Sequence, residues 1–325
     1  MRSPLSITAR HETWPLREAF KISRGAKLAA DVIVVTVTDG THVGRGEAVP
    51  YARYGESIDQ ALTAIAALGP VSGRHDLATH MPAGAARNAV DCALWDIEAK
   101  QSGTAAAALA GCAKLQTVIT AYTLSLDTPE AMSAKARAVA GLPLLKLKLG
   151  GAGDAARMQA VRASRPDARL IADANEAWTP EMLAALMSEA ARLGFETIEQ
   201  PLPEHADEAL RGVKWPVPLC ADESLRTVAD LPRLAGLYDA INIKLDKAGG
   251  LTGALDLHRA ARAAGMKIMV GSMVATSLAI APALILAQDA EWTDLDGPLL
   301  LAHDRADGVA IAAGRMSPPS AALWG

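Results

Sequence analysis

The fold is decided by a series of short apolar strands that end in charged or amide side chains: LLKLKL (144–149), RLIAD (169–173), ETIE (196–199), VPLCAD (217–222) and DAINIKL (239–245). Further strands of this kind are predicted at 117–123, 267–271 and 290–294. Ala- and Leu-rich helical stretches separate them. Successive strand–helix units, with strands apolar on both faces, predict an α/β fold of the (β/α) barrel type. An open doubly wound sheet is the competing arrangement, but Gly44-Arg45-Gly46 lacks the third glycine of its phosphate-binding turn.

The segment before the barrel has a different pattern. Residues 31–38 (DVIVVTVT) are rich in β-branched side chains and end at Asp39-Gly40, a hairpin-turn pair, and 43–49 is the predicted return strand. Residues 57–68 and 83–101 then show helical spacing. Strands followed by helices are typical of an α+β domain.

The overall composition favours a small-molecule substrate or ligand over nucleic acid or a membrane. The 325 residues carry 32 Lys+Arg against 36 Asp+Glu, without a basic run, so neither nucleic acid nor an anionic membrane is an expected partner. The three cysteines, widely spaced, predict neither disulfides nor a thiolate metal site. No signal-peptide pattern opens the chain and no apolar run reaches the ~20 residues of a membrane span. We expect a cytoplasmic protein, and the sequence leaves a homo-oligomer open.

Three carboxylates follow successive strands: Asp173, Glu199 and Asp222. The carboxyl ends of barrel strands form one rim, where such folds place their active sites, so these side chains should converge. Three buried anions need a compensating cation, and an all-oxygen ligand set suits Mg²⁺. A single acid at such a junction ordinarily caps the next helix, but three in succession favour a metal site.

Lysines are predicted on both sides of this triad. Lys146 and Lys148 are two apart and share one face of their strand, and Asn242 and Lys244 repeat the arrangement. Desolvation and a nearby cation both disfavour the charged form of a lysine, which could then act as a base. Lys247, three residues further on, is expected to be out of register with the inward face and secondary.

These residue types point to removal of a proton next to a carboxylate. A divalent cation and the adjacent Lys146 would stabilise the enediolate that forms. A base on each face predicts inversion of the carbon centre, whereas departure of a β-leaving group would give an alkene.

The motifs resemble the muconate-lactonizing-enzyme subgroup of the enolase superfamily. They are Lys146-Leu-Lys148, Asp173-Ala-Asn175, Glu199-Gln-Pro, Asp222-Glu223-Ser and Asn242-Ile-Lys244. The resemblance implies an N-terminal α+β capping domain (1–113), a modified, TIM-like (β/α)₇β barrel (114–308) and a C-terminal segment (309–325) returning to the cap. It also implies one Mg²⁺ per subunit held by Asp173, Glu199 and Asp222, with Lys148 and Lys244 as the acid/base pair. Lys146 would contact substrate, and Asn175, Glu223 and Asn242 would support the site.

Within that subgroup the chain resembles the dipeptide epimerases, and among these the L-Ala-D/L-Glu epimerases. Asp294-Leu-Asp296 matches the motif that binds the substrate's α-ammonium group, which suits a cation with several donors. Thr123 matches another substrate contact. Arg24 matches an arginine that pairs with a glutamate side chain. The resemblance implies a dipeptide as the small-molecule partner and a role in recycling cell-wall (murein) peptides.

Two alternatives stay open. A lyase or cycloisomerase of the same subgroup, such as an o-succinylbenzoate synthase, would use the same metal and lysines. Asp294 and Asp296 argue against it, because its substrates offer no ammonium. A non-catalytic binding protein on the same barrel would be expected to have lost a ligand or a base, and each one is present in this chain.

Overall fold

The computed structural model describes residues 5–325. The strands are β1 (Ser6–Ile22), β2 (Gly25–Thr38), β3 (Val43–Ala48), β4 (Val118–Ile119), β5 (Tyr122–Leu124), β6 (Leu144–Lys148), β7 (Arg169–Asp173), β8 (Phe195–Glu199), β9 (Leu219–Ala221), β10 (Ala240–Lys244), β11 (Lys267–Gly271), β12 (Trp292–Asp294), β13 (Ile311–Ala312) and β14 (Arg315–Met316). The helices are α1 (Ile58–Ala66), α2 (Arg74–His80), α3 (Ala85–Ser102), α4 (Ala106–Leu109), α5 (Pro129–Ala138), α6 (Asp154–Ser164), α7 (Pro180–Arg192), α8 (Leu231–Leu234), α9 (Leu245–Ala248), α10 (Leu251–Ala263), α11 (Ser277–Leu286) and α12 (Gly297–Leu300).

The N-terminal domain is an antiparallel sheet, β1-β2-β3, covered by helices α1 to α3. The predicted hairpin of β2 and β3 and the helices near 57–68 and 83–101 are confirmed. The second half of β2 is almost continuously apolar because both of its faces are buried there. Ile33, Val35 and Val37 pack in the core of this domain, while Val32 and Val34 belong to the core shared with the barrel. The sheet therefore joins the two domains rather than facing solvent.

Strand β1 was not predicted from the sequence. It pairs along β2 as the edge strand of the sheet, and its residues alternate between exposed and half-buried instead of forming an apolar run. An edge strand also tolerates Pro15, which lacks a backbone donor. The turn from β1 to β2, at Ser23 and Arg24, carries the arginine singled out in the sequence.

The barrel is an eight-stranded parallel sheet in the sequential order β5 to β12. The Ala121 N–H donates to the Thr293 carbonyl oxygen at 2.8 Å, which links the first and last strands. Sequential strand order and this closing contact exclude the doubly wound sheet and confirm the predicted barrel. The unit after β8 departs from the regular pattern, because a 3₁₀ segment, Glu204–Leu210, takes the place of its helix.

The predicted first strand, 117–123, is divided in two. β4 pairs with β14, whereas β5 pairs with β6 in the barrel. Between them the Thr120 N–H donates to the Gly314 carbonyl oxygen, so the chain changes partner here. Apolarity alone could not reveal this change, since both halves are apolar.

The C-terminal segment reaches the N-terminal domain. The indole N–H of Trp324 donates to the Cys92 carbonyl oxygen at 2.9 Å, and the Gly325 N–H donates to Asp96 Oδ1 at 2.8 Å. The three cysteines are free thiols. Within residues 5–325, no helix has both the length and the apolarity needed to cross a membrane.

Candidate active site

Three buried carboxylates meet at the carboxyl ends of the central barrel strands. Asp173 and Glu199 are the last residues of β7 and β8, and Asp222 directly follows β9. Each offers an oxygen that lies within 4.8 Å of the others'. Asn242 Nδ2 donates to Glu199 Oε1 at 2.7 Å and orients that carboxylate. The spacing and the all-oxygen donor set fit a hard divalent cation.

The charges around the triad support the same conclusion. Burial and then the neighbouring Asp173 raise the pKa of Glu199 to about 8. Burial alone would also raise the pKa of Asp173, but Lys148 and Lys146 outweigh it and lower that pKa below the ordinary range. A divalent cation would hold all three carboxyl groups in the charged form.

Lysines approach the triad from both sides. Lys148 Nζ donates to Asp173 Oδ2 at 2.6 Å, and Lys244 Nζ donates to Asp222 Oδ2 at 2.7 Å. Their strands, β6 and β10, flank β7 to β9 in the sheet. Burial alone would lower the pKa of Lys244, but Asp222 and other carboxylates raise it well above the ordinary lysine value. The two amines thus face one another across the triad.

Lys146 lies deeper in the barrel. Its Nζ is 2.6 Å from both Asp294 Oδ2 and Glu199 Oε2, and it is 1% exposed. These carboxylates outweigh the effect of burial and raise its pKa well above the ordinary value. Lys146 is charged beside the triad and, unlike Lys148 and Lys244, does not line the cavity, which fits a role in stabilising negative charge rather than in removing a proton.

The expectation that Lys247 points away from the site is wrong. The chain enters α9 directly after Lys244, and one helical turn brings the residue three positions on back to the same side. Lys247 Nζ donates to Asp222 Oδ1 and to the Asp222 carbonyl oxygen, both at 2.6 Å, and to the Asn242 carbonyl oxygen at 3.1 Å. Burial lowers the pKa of Lys247. Lys247 therefore stabilises the position of Asp222 through both its backbone and its side chain.

A second pair of carboxylates lies at the end of β12. Asp294 is engaged by Lys146 through Oδ2, while its Oδ1 is buried with no hydrogen-bond partner in residues 5–325. The Thr123 N–H donates to Asp296 Oδ2 at 2.6 Å. Burial and then Asp294 raise the pKa of Asp296 to about 7. This pair has spare acceptor capacity for a ligand cation.

Arg24 extends from the β1–β2 turn over the barrel rim. Its guanidinium donates to the Asn175 carbonyl oxygen at 2.9 Å, to Glu176 Oε2 at 3.2 Å and to Glu223 Oε1 at 2.7 Å. Asn175 Nδ2 also approaches Glu223 Oε1, at 3.2 Å. The turn therefore closes one side of a cavity of about 490 Å³ between the two domains.

The cavity brings together most of the residues singled out in the sequence. Its lining includes Arg24, Thr123, Lys148, Asn175, Asp222, Glu223, Lys244, Asp294 and Asp296. The other buried site residues do not line the cavity and lie just beneath it: Asp173, Glu199, Lys146 and Asn242. Phe20 is a wall residue that the sequence did not reveal, and its ring centroid is 5.9 Å from Lys148 Nζ. Gln200, in the Glu199-Gln-Pro motif, is a further site residue that the sequence did not reveal, because its Oε1 accepts the Asp222 N–H at 2.9 Å.

Two family models cover most of the chain. The model for the mandelate racemase / muconate lactonizing enzyme N-terminal domain matches residues 5–111, and the enolase C-terminal domain-like model matches residues 130–322. The chain belongs to the enolase superfamily. Both the α+β cap and the barrel of this family are thus accounted for.

Relatives place this enolase-family chain among isomerases. An L-Ala-D/L-Glu epimerase of Escherichia coli is 44% identical over 299 residues, covering 90% of this chain and 93% of the relative. An N-acetyl-D-glutamate racemase of Pseudoalteromonas is 45% identical over 300 residues, covering 90% and 95%. The chain is an isomerase of the group that includes the dipeptide epimerases.

Solved structures of relatives contain dipeptides. An enolase family member from Agrobacterium tumefaciens, with bound sodium and L-Ala-L-Glu, has a TM-score of 0.95 and 47% identity, covering 99% of this chain and 100% of that one. A dipeptide epimerase from Enterococcus faecalis, complexed with Mg and L-Leu-L-Tyr, has a TM-score of 0.90 and 29% identity, covering 99% of each chain. The fold is shared along its whole length.

Proposed function

We propose that this enzyme is a Mg²⁺-dependent L-Ala-D/L-Glu epimerase that inverts the α-carbon of the second residue. The observation that carries the proposal is the carboxylate triad flanked by Lys148 and Lys244, with the Asp294–Asp296 pair in the lining of the same cavity. The 44% identity to the Escherichia coli epimerase supports it.

Asp173, Glu199 and Asp222 would hold the magnesium ion. A divalent cation there supplies electrostatic stabilisation of the charge that develops on the substrate carboxylate when the α-proton leaves. Lys146, buried and charged next to the triad, adds to that stabilisation. Asn242 and Lys247 keep two of the three carboxylates oriented.

Proton transfer is assigned to the remaining two lysines. One of them removes the α-proton from its face of the substrate, and the other donates a proton to the opposite face. Since Lys148 and Lys244 come from strands on either side of the triad, a planar intermediate between them can be protonated from either side. The result is a 1,1-proton transfer and an inverted centre.

Substrate orientation would come from charged side chains in the cavity lining. Asp294 and Asp296 would bind the α-ammonium group, with Thr123 holding Asp296 in place. Arg24 would bind the side-chain carboxylate of the second residue. Thr123, Asp294 and Asp296 all line the cavity together with the lysines.

A second candidate is racemisation of N-acetylglutamate, favoured by the 45% identical Pseudoalteromonas relative. N-acetylglutamate has the same carbon acid and side chain as Ala-Glu but carries no ammonium group. The paired carboxylates of Asp294 and Asp296 would then have no cation to bind, so we place the dipeptide first. The proposal also includes murein peptide recycling, which rests on the resemblance alone. It further includes a cytoplasmic location, which the three widely spaced cysteines favour.

Conversion of the two substrates in parallel tests the proposal. L-Ala-L-Glu and N-acetyl-L-glutamate are incubated with the enzyme and Mg²⁺, and the products are separated by chiral chromatography. We expect L-Ala-D-Glu to form with the higher kcat/KM. Efficient turnover of N-acetylglutamate alone would replace the proposal with the second candidate.

A further inference from the structure

The cap loop between β3 and α1 (residues 49–57) contains an arginine, Arg53, to which the sequence motifs assigned no role. Arg53 Nε donates to Glu176 Oε2 at 2.9 Å and its Nη2 donates to Glu176 Oε1 at 2.7 Å, a bidentate pair. The Arg53 side chain is 30% exposed and that of Glu176 is 10% exposed. Glu176 follows β7 closely, so this pair connects the cap loop to the rim beside the metal triad.

The backbone at Glu176 indicates that this placement has a cost. Asn175 and Glu176 have φ values of 43° and 66°, a left-handed conformation that a side chain disfavours. Such residues cost on the order of 1 kcal/mol each and persist where the surroundings compensate. The compensation is visible in the Glu176 carboxylate, which accepts from Arg53, from Arg24 and from the Glu204 N–H.

Glu176 therefore links two arginines from different cap loops. Arg24 Nη1 lies 3.2 Å from Glu176 Oε2, a longer contact than either made by Arg53. Arg24 is also shared with Glu223, at 2.7 Å. The positive charges of the two arginines thus compensate the negative charges of Glu176 and Glu223 near the position expected for the substrate side chain.

The availability of Arg24 to a ligand carboxylate depends on which arginine pairs with Glu176. While Arg53 takes both carboxylate oxygens, Arg24 makes only one contact with Glu176, at 3.2 Å, so Glu223 is the main competitor of a ligand carboxylate for Arg24. Without Arg53, the largely buried Glu176 would keep Arg24 as its only hydrogen-bonding cation in the described chain. Its remaining partner, the backbone N–H of Glu204, is uncharged. An incoming carboxylate would then compete with Glu176 and face one more uncompensated negative charge.

We propose that Arg53 sets the enzyme's preference for acidic second residues by binding both oxygens of Glu176 and so limiting the contact between Glu176 and Arg24. Arg53 is a positioning residue here, since it acts through Glu176 and Arg24 and need not touch the substrate. The inference rests on the proposed function, because it assumes that the side chain of the second residue is bound near Arg24.

A purely structural role for Arg53 predicts a different result. If Arg53 only fastened the cap loop to the barrel, its loss would slow every substrate alike. Comparing L-Ala-L-Glu with L-Ala-L-Gln separates the two roles, because these dipeptides have nearly the same shape and differ in one charge. The measured quantity is the ratio of their kcat/KM values.

Three variants are needed. In Arg53→Ala we expect that ratio to fall by about tenfold, the scale of a charge-assisted contact in a partly buried site, mainly through KM for L-Ala-L-Glu. In Arg53→Ala/Glu176→Gln, which removes the competing charge, the ratio should return close to that of the wild type. Arg192→Ala breaks a similar bidentate pair, with Glu189 on the surface of α7, and should leave the ratio unchanged.

An equal loss for both dipeptides in Arg53→Ala, or a double variant that does not recover, would overturn the proposal while leaving the epimerase function standing. If the wild type turns over neither dipeptide, the proposed function fails instead. In that case, calorimetric titration of both dipeptides in the presence of Mg²⁺ tests the inference. We expect Arg53→Ala to reduce the preference for L-Ala-L-Glu over L-Ala-L-Gln, measured as the ratio of their Kd values, by the same factor of about ten. Absence of any binding to the wild type would overturn both.

Discussion

The role of Asp296 is the sharpest test of dipeptide recognition. Asp296→Asn removes one negative charge while keeping an oxygen that can accept the Thr123 N–H. Asp294 is already engaged by Lys146 at 2.6 Å, whereas Asp296 has no cation within hydrogen-bonding distance in the described chain. Asp296 should therefore contribute most of the charge that holds a substrate ammonium.

The expected loss of kcat/KM in Asp296→Asn follows from the hydrogen bond between Asp296 and the substrate ammonium. A hydrogen bond to a charged group contributes about 1.5–3 kcal/mol, which corresponds to a loss of roughly 10- to 150-fold in kcat/KM. N-acetyl-L-glutamate has no ammonium, so any activity toward it should not fall. The assay is chiral chromatography of both substrates, with the wild type and Asp296→Asn measured at pH 8. A loss below about threefold for L-Ala-L-Glu, or the same loss for both substrates, would refute the assignment.

The same residue predicts a pH dependence. The pKa of Asp296 is about 7 because burial and Asp294 disfavour its charged form. Ammonium binding requires the charged form, so kcat/KM for L-Ala-L-Glu should fall as the pH decreases through about 7. This acidic limb should be lost in Asp296→Asn, and its persistence would show that another group titrates.

Two further predictions concern the lysines. Lys148→Ala and Lys244→Ala should each abolish epimerisation, because inversion needs a base on both faces, while one variant can still exchange the α-proton of a single stereoisomer; measurable epimerisation by either variant would contradict the two-base assignment. Lys247→Met should lower the free energy of unfolding of the metal-free protein by about 3–5 kcal/mol, since it leaves the buried oxygens of Asp222 and Asn242 without this donor. Urea denaturation in chelator measures it, and a change below about 1 kcal/mol would contradict that role.

The barrel was predictable because its signal is local. Each central strand is a short apolar run that ends in a polar residue, and parallel strands bring those ends to one rim. Asp173, Glu199 and Asp222 therefore converge as the sequence spacing predicts. The alternation of Lys146 and Lys148 likewise follows from the two-residue period of a strand, and both amines contact Asp173.

Other features depend on long-range contacts and left no comparable pattern. Strand β1 is held along β2 by pairing, with little apolar surface of its own. Lys247 turns inward because a single helical turn begins at Leu245, and four residues are too few for periodicity to show. Arg53 and Glu176 are far apart in sequence and meet only when the cap docks on the barrel. Such contacts become evident only in the folded chain.

The most direct test of the central claim is exchange at the α-carbon. The enzyme is incubated with L-Ala-L-Glu and Mg²⁺ in D₂O, and the α-proton signals of both residues are followed by NMR, with a chelator-treated sample as control. We predict that deuterium enters only the α-position of the second residue, together with formation of L-Ala-D-Glu, and that chelation stops both. No exchange at that position in the presence of Mg²⁺ would contradict the account.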